Sequence, residues 1–245
     1  MGLAHRVIPT ILCRGRALVK GERFNAWRTV GVAATAVRIH AARGVDEVCL
    51  LDIGATPEGR GPDLSLVREL SEVLFVPLAV GGGVRSLADV RALLAAGADK
   101  VVIGEAAFCQ DDLVGRCTDA VGCQAIVVAL NVDRDSVVMR GRTVFVGAAR
   151  AAESMKAAGA GEILLTSIER EGTMQGYDLD LIRSVAGAVD IPVIAHGGCR
   201  GYEDMAAAIE VGASAVAAGA LFQFTDATPR GAAKYLQEHG IEARV

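Results

Sequence analysis

The sequence contains one segment twice, and this internal repeat constrains the fold more than any other feature. Residues 76–108 return in weakened form as residues 191–222, at a constant offset of 115 positions. The matched positions include Pro77 and Pro192, Gly82 and Gly197, Gly83 and Gly198, Arg85 and Arg200, and Gly104 and Gly219. A repeat this long is a half-domain rather than a short solenoid unit.

Each copy predicts a strand, a glycine turn, an amphipathic helix and a second strand parallel to the first. Two halves built from such units close most naturally into an α/β fold, an eight-stranded (β/α)8 TIM barrel. The composition agrees, because 52% of residues are apolar but only 4% are aromatic, which suits parallel strands buried on both faces. We expect a single barrel domain over residues 1–245.

The glycine turns predict where ligands bind. A glycine at the carboxyl end of a strand, followed by a helix, lets backbone N–H groups and the helix dipole favour a phosphate. Two copies therefore predict two anion sites on one face of the barrel. Their residues are Gly82, Gly83 and Gly104 in the first copy and Gly197, Gly198 and Gly219 in the second.

Composition excludes several classes of function. The net charge of −4 argues against a nucleic-acid-binding surface. No uncharged apolar segment approaches 18 residues, so we expect no membrane segment and a cytoplasmic protein. The six cysteines lack C-x-x-C spacing, which predicts reduced, buried thiols and no metal site. No pattern indicates a cofactor.

Several polar residues follow predicted strands and would face the mouth of the barrel. Asp52 ends an apolar run, and Asn131 ends another, ahead of a predicted hairpin about Arg140 and Gly141. Residues 14–31 form a long connection that is either a lid over the mouth or a surface excursion.

The sixth predicted strand ends in Thr166 and Ser167 and opens into a loop with Glu171 and Thr173. This loop is either a substrate-contacting lid or a solvated turn. His196, beside the second glycine turn, is either a phosphate donor or a core histidine.

The chain resembles the cyclase (synthase) subunit of imidazole glycerol phosphate synthase over nearly its full length. The motifs that carry the resemblance are RVIP, GVDEVCLLDI, PLAVGGGV, GADKVVI, GAGEILLTSI, EGTMQGYD, PVIAHGG and KYLQEHGIEAR. The resemblance implies a (β/α)8 barrel that binds a phosphorylated substrate at both ends of its mouth. It also implies a glutaminase partner at the amino-terminal face, which sends ammonia through the barrel core.

Four charged residues lie at the starts of predicted strands: Arg6, Glu47, Lys100 and Glu162. Two bases and two acids at one end of a barrel could form an ion-pair ring that closes its floor. The resemblance implies that this ring is an ammonia gate, and a purely structural ring is the alternative. Charges inside a barrel are costly unless paired, so the pattern suits either role.

The mouth departs from the family pattern. The family places catalytic aspartates where this chain has Leu12 and Asn131, and neither can exchange a proton near neutral pH. Asp133, Asp52 and Glu171 are the candidate substitutes, together with Asn131 itself as a site residue.

The phosphate positions depart as well. The Asn-Thr pair that the family places after the fourth barrel strand is Gly104-Glu105, and a serine after the eighth is Ala220. Glu105 puts a negative charge beside a predicted phosphate site, whereas Ala220 adds no repulsive charge. The second cradle is therefore the better candidate.

These observations lead to a functional hypothesis. We expect an ammonia-using synthase subunit that acts with a glutaminase on a phosphorylated or nucleotide-linked sugar, as in the family's acetamidino-sugar paralogues. Those systems also include a third, amidotransferase subunit. The alternatives are the histidine-pathway cyclase itself and a catalytically inactive ammonia relay that serves as an allosteric partner.

Overall fold

The computed structural model describes residues 4–110 and 112–244. Within them, eight parallel strands form the wall of a barrel. They are β1 (Arg6–Arg14), β4 (Val48–Asp52), β5 (Leu78–Gly81), β6 (Lys100–Ile103), β7 (Ile126–Asp133), β10 (Glu162–Ser167), β11 (Val193–His196) and β12 (Ala215–Ala218). Two hairpins accompany them, β2 (Ala17–Glu22) with β3 (Asn25–Val32) and β8 (Ser136–Met139) with β9 (Arg142–Val146).

Helices connect the barrel strands. Their bounds are α1 (Ala33–Ala42), α2 (Leu64–Ser71), α3 (Leu87–Ala95), α4 (Ala106–Cys109), α5 (Leu113–Val121), α6 (Ala148–Ala157), α7 (Leu179–Ala188), α8 (Tyr202–Glu210), α9 (Ala220–Phe224) and α10 (Pro229–Glu238). The wall closes because β1 pairs in parallel with both β12 and β4, and β7 pairs in parallel with β10. The predicted (β/α)8 barrel is confirmed.

Strict alternation along the strands separates the barrel interior from the layer beneath the helices. On β1, Val7 and Ile11 join the outer core cluster, whereas Ile8 joins a separate interior cluster. The members of the interior cluster are Ile8, Cys49, Ala79, Val102, Val127, Ala129, Leu164, Ile194, Ala215 and Ala217. Small and aliphatic side chains thus fill the lumen without aromatic rings.

The sequence repeat is visible in three dimensions. Gly82 and Gly197 follow equivalent strands. Their φ values are 108° and 95°, which residues other than glycine rarely adopt. The next turn repeats too, because the Arg85 N–H donates to Asp89 at 2.9 Å and the Arg200 N–H donates to Asp204 at 2.8 Å. Both halves therefore present the same backbone at the carboxyl ends of their strands.

Residues 14–31 are an ordered hairpin rather than an irregular connection. Strand β2 pairs with the end of β1 and with β3, which extends the barrel wall above the mouth. The hairpin tip reaches the loop after β10, where the Arg23 N–H donates to the Glu171 carbonyl at 2.8 Å. Of the two interpretations offered above, the structure favours the one in which this segment covers the mouth. The predicted hairpin at Arg140 and Gly141 is confirmed as β8–β9.

All six cysteines are free thiols, but the prediction that they are buried was wrong for two of them. Cys109 ends the short helix α4 and Cys123 follows α5, and both are exposed. No helix in the described ranges is long and apolar enough to cross a bilayer.

Candidate functional site

Four charged side chains close the amino-terminal end of the barrel in an alternating ring. Arg6 contacts Glu47 at 2.6 Å and Glu162 at 3.1 Å. Lys100 completes the ring from the opposite side, with its ammonium 2.8 Å from Glu47 and 2.9 Å from Glu162. The predicted ring thus exists as four ion pairs between two cations and two anions. Its net charge is zero, which allows it to sit at the entrance of an apolar lumen.

The ring is not fully satisfied. The second carboxylate oxygen of Glu162, Oε2, is buried and has no hydrogen-bond partner among the described residues. A buried carboxylate oxygen without a hydrogen-bond partner carries a desolvation cost, which reduces the stability of the closed ring.

A small chamber lies directly above the ring. Its walls come from Ile8, Glu47, Cys49, Ala79, Val102, Val127, Leu164, Ile194 and Ala217. Apart from the Glu47 carboxylate, the lining is aliphatic or thiol, and burial raises the pKa of the Cys49 thiol so that it stays uncharged. Such a chamber accommodates a small neutral molecule and disfavours ions.

At the mouth, the two positions where the family has aspartates hold different side chains. Leu12 is 4% exposed and lies on the inward face of β1. Asn131 is partly buried on β7, and its amide donates weakly to the Met139 sulfur at 3.7 Å. Asp133 shares the strand face of Asn131, as expected, because β7 continues through residue 133. Its side chain is exposed, beyond the mouth proper.

Asp52 lies on the same face of β4 as Val48 and Leu50, which pack outward against the helices. Its side chain therefore does not point into the lumen. Its Oδ1 accepts hydrogen bonds from the N–H groups of Gly15, Gly54 and Ala55 at 3.0–3.3 Å. Its Oδ2 accepts from Arg60 at 3.2 Å. This saturated carboxylate organises the loop after β4, and the geometry favours a positioning role over a catalytic one.

Glu171 is the one candidate carboxylate that lies buried in the mouth. It is 7% exposed and lines a small cleft between the loop after β10 and the ends of β11 and β12. Burial raises its pKa, and the positive charge of Lys20 opposes that shift. Lys20 itself is 5% exposed, and burial lowers its pKa to about 8.

Lys20 was not predicted as a site residue. It lies on β2 after the buried Leu18 and Val19, and the pattern ALVKGE does not distinguish a buried lysine from a solvent-facing one.

His196 and Thr166 face each other on adjacent strands, with the hydroxyl 3.0 Å from Nδ1. Burial, with a smaller contribution from Lys20, lowers the pKa of His196 to about 4, so the imidazole is neutral at pH 7. The two neighbouring residues predicted for the site, Ser167 and Thr173, differ in what they contact. Ser167 is buried, whereas the Thr173 hydroxyl donates to the Arg170 carbonyl at 2.7 Å within its own turn. Thr173 therefore shapes the loop.

The glycines of each predicted set follow two neighbouring strands, β5 and β6 in the first set and β11 and β12 in the second. We call Gly82, Gly83 and Gly104 the first cradle, and Gly197, Gly198 and Gly219 the second cradle. The cleft beside Glu171 and His196 is lined by all three glycines of the second cradle and by Ala220. At the first cradle, Glu105 pairs with Arg140 of the β8–β9 hairpin, with contacts of 2.6 and 3.1 Å. Arg140 was also missed as a site residue.

No group of three or more His, Cys, Asp or Glu side chains among the described residues is arranged to hold a metal ion.

Comparison with known proteins agrees with the barrel fold. A family described as "Histidine biosynthesis protein" matches residues 6–228. Imidazole glycerol phosphate synthase subunit HisF of Hyphomonas neptunium is 42% identical over 249 aligned residues, covering 99% of both chains. The same subunit of Dictyoglomus thermophilum is 40% identical over 250, again with 99% of both covered. Both names are those of the cyclase-type subunit, so these relatives support the histidine-pathway alternative better than the expected sugar-modifying one. The chain belongs to the histidine biosynthesis protein family, and its relatives there are HisF cyclase subunits.

Proposed function

We propose that this chain is the ammonia-accepting synthase subunit of a glutamine amidotransferase, a lyase-type enzyme built as one barrel domain. The observation that carries the proposal is the closed ring of Arg6, Glu47, Lys100 and Glu162 beneath an apolar chamber. Ammonia is small and neutral, so it crosses such a chamber more readily than ammonium does.

The proposed partner is a glutaminase docked on the amino-terminal face of the barrel. Phe75 supports an interface there, because it precedes β5 at the same end as the ring and is 99% exposed. Aromatic side chains are enriched in protein–protein contacts, so Phe75 is a candidate anchor for the proposed partner on this face.

The first candidate reaction is formation of imidazole glycerol phosphate. Its support is the family match and two HisF relatives at 40–42% identity over 99% of each chain. In this reaction the mouth would exchange protons through Glu171. It is buried, its pKa is raised by burial, and it lines the cleft of the second cradle.

The second candidate is amidination of a phosphorylated or nucleotide-linked sugar, with a third amidotransferase subunit. The observation that favours it is the side-chain pair at the mouth, Leu12 and Asn131, which supplies no proton-exchanging group on β1 or β7. Ammonia delivery is common to both candidates.

One reconstitution tests the proposal and separates the candidates. The chain is combined with its cognate glutaminase and given either glutamine or ammonium chloride, with the phosphoribulosyl-formimino imidazole-carboxamide nucleotide as substrate. We expect imidazole glycerol phosphate from both nitrogen sources. No product from either source, together with conversion of an acetamido sugar, would select the second candidate. No nitrogen transfer from glutamine to either substrate would overturn the proposal and leave an inactive relay.

A further inference from the structure

Thr10 carries a buried hydroxyl in the middle of the barrel. Its side chain lies on β1 with 1% of the residue exposed, and the hydroxyl oxygen, Oγ1, has no hydrogen-bond partner among the described residues. A buried hydroxyl without a partner carries a desolvation cost, which valine, a side chain of the same shape, would avoid. Buried polar groups of this kind are uncommon in folded proteins, so the hydroxyl calls for an explanation.

Thr10 lies on the lumen face of its strand. Side chains alternate along β1, so Thr10 shares its face with Ile8, a member of the interior cluster. It is in register with Cys49 of the neighbouring strand β4, which belongs to the same cluster. Both Ile8 and Cys49 line the chamber above the ring. Thr10 therefore lies one step above Ile8, at the end of the chamber that is farther from the ring.

The chamber and the cleft at the mouth come together beside Thr10. Ala217 of β12 lines both cavities. Strand β12 pairs with β1, where Ala217 is in register with Ile8. One step closer to the mouth, a β-carbon on Gly219, which lines the cleft, would lie 3.0 Å from the Thr10 carbonyl oxygen. Thr10 thus occupies the level at which the chamber ends and the cleft begins.

The hydroxyl suits a small neutral molecule that forms hydrogen bonds. Ammonia loses its hydrogen bonds with water when it enters an aliphatic chamber, and this loss is unfavourable. A threonine hydroxyl can donate to the nitrogen lone pair of ammonia or accept from one of its N–H groups. Ammonia at Thr10 would therefore recover one hydrogen bond where it leaves the chamber, and the buried hydroxyl would gain a partner.

We propose that the Thr10 hydroxyl is a hydrogen-bonding step that passes ammonia from the chamber to the mouth. Thr10 is a positioning residue in this scheme, because it exchanges no proton with the substrate. The inference rests on the proposed function in taking ammonia as the molecule that crosses the barrel. It goes further by assigning one step of the passage to a single side chain. Ammonia supplied in solution can reach the cleft from the mouth without passing Thr10.

The test replaces the hydroxyl with a methyl group of similar size. In the reconstituted complex, Thr10→Val should lower product formation from glutamine about fivefold relative to formation from ammonium chloride, as expected for one lost hydrogen bond. Thr10→Ser retains the hydroxyl and should keep the wild-type ratio. Thr143→Val, on the exposed part of strand β9, is the matched control and should also keep that ratio. Thr10→Val should unfold at the wild-type temperature or above it, because an unpartnered hydroxyl has been removed.

The outcomes separate this inference from the proposed function. If the wild type transfers nitrogen from glutamine and Thr10→Val gives the same ratio, the inference is wrong and the proposed function stands. Equal losses with both nitrogen sources, or a loss in Thr10→Ser as large as that in Thr10→Val, would overturn the inference in the same way. A clear loss of thermal stability in Thr10→Val would show that the hydroxyl has a structural partner, which also overturns it. Absence of transfer from glutamine in the wild type would overturn the proposed function and, with it, this inference.

Discussion

Removing the Lys100 charge is the perturbation that most sharply separates a gate from a structural ring. The ammonium contacts Glu47 at 2.8 Å and Glu162 at 2.9 Å, with 16% of its side chain exposed. At this separation each contact is worth about 6 kcal/mol of gross attraction in an effective dielectric of about 20, most of it offset by desolvation. The net effect on stability is therefore taken from the typical cost of deleting one partner of a buried ion pair.

Deleting one member of a buried ion pair costs about 3 to 5 kcal/mol. Arg6 still contacts both carboxylates after Lys100→Met, so we expect a loss at or just below the lower end of that range, about 2 to 3 kcal/mol of unfolding free energy. For a chain of this length that loss lowers Tm by about 5 to 10 °C. Lys234→Met removes a surface pair at 3.7 Å and should change stability by less than about 0.5 kcal/mol.

Lys100→Met should also change how well the complex uses nitrogen from glutamine compared with ammonium in solution. Two carboxylates that share a single cation attract ammonium and hold it as an ion, which the apolar chamber does not admit. Product formation from glutamine should therefore fall about tenfold relative to formation from ammonium chloride, equivalent to about 1.4 kcal/mol at the transfer step. The assay is the ratio of the two initial rates in the reconstituted complex. Equal losses with both nitrogen sources would refute the gate and leave a structural ring.

Three further perturbations follow from the same structure. Phe75→Ser should weaken glutaminase binding about 30-fold in a titration, as for a central aromatic contact, while Phe224→Ser, beyond β12 at the other end of the barrel, should not change it. Lys20→Met should stabilise the free protein at pH 7 by up to about 3 kcal/mol. Its folded-state pKa of about 8 lies below its ordinary 10.5, so the cost of burying the cation is fully present below pH 8 and is relieved as pH rises from 8 to 10.5. Thermal unfolding at pH 7 and pH 10.5 checks this, and an equal gain at both pH values would contradict it. Asp52→Ala should cost about 2 kcal/mol in urea unfolding, because three backbone N–H groups lose their acceptor, and Asp52→Asn should cost less. A loss below about 0.5 kcal/mol would show that the carboxylate does not organise its loop.

The repeat made the barrel predictable, because glycines at fixed offsets require the same backbone twice. The hairpin at residues 17–32 was less accessible. Its turn carries Arg23 and Phe24 with φ values of 50° and 59°, and neither residue type signals a left-handed turn. Contacts with the loop after β10 hold that turn in place, and such contacts are invisible in a local pattern.

In the candidate site too, local patterns predicted some residues, whereas others depend on tertiary contacts. The four ring residues were found because each lies at or beside the start of a strand. Asp52 looked like a mouth residue because it ends an apolar run. The inward alternation of Cys49 and Leu51 already assigned it to the other face. Arg140 pairs with Glu105, and the charge of Lys20 acts on Glu171, because two separate hairpins fold back over the mouth, which no local pattern shows.

The central claim is that nitrogen enters this barrel through its floor. The direct measurement is a competition in the reconstituted complex between amide-¹⁵N glutamine and excess unlabelled ammonium at the pH of the assay. If ammonia travels through the ring and chamber, the product should carry ¹⁵N well above its share of the ammonia pool in solution. A product whose label matches that pool would contradict the account.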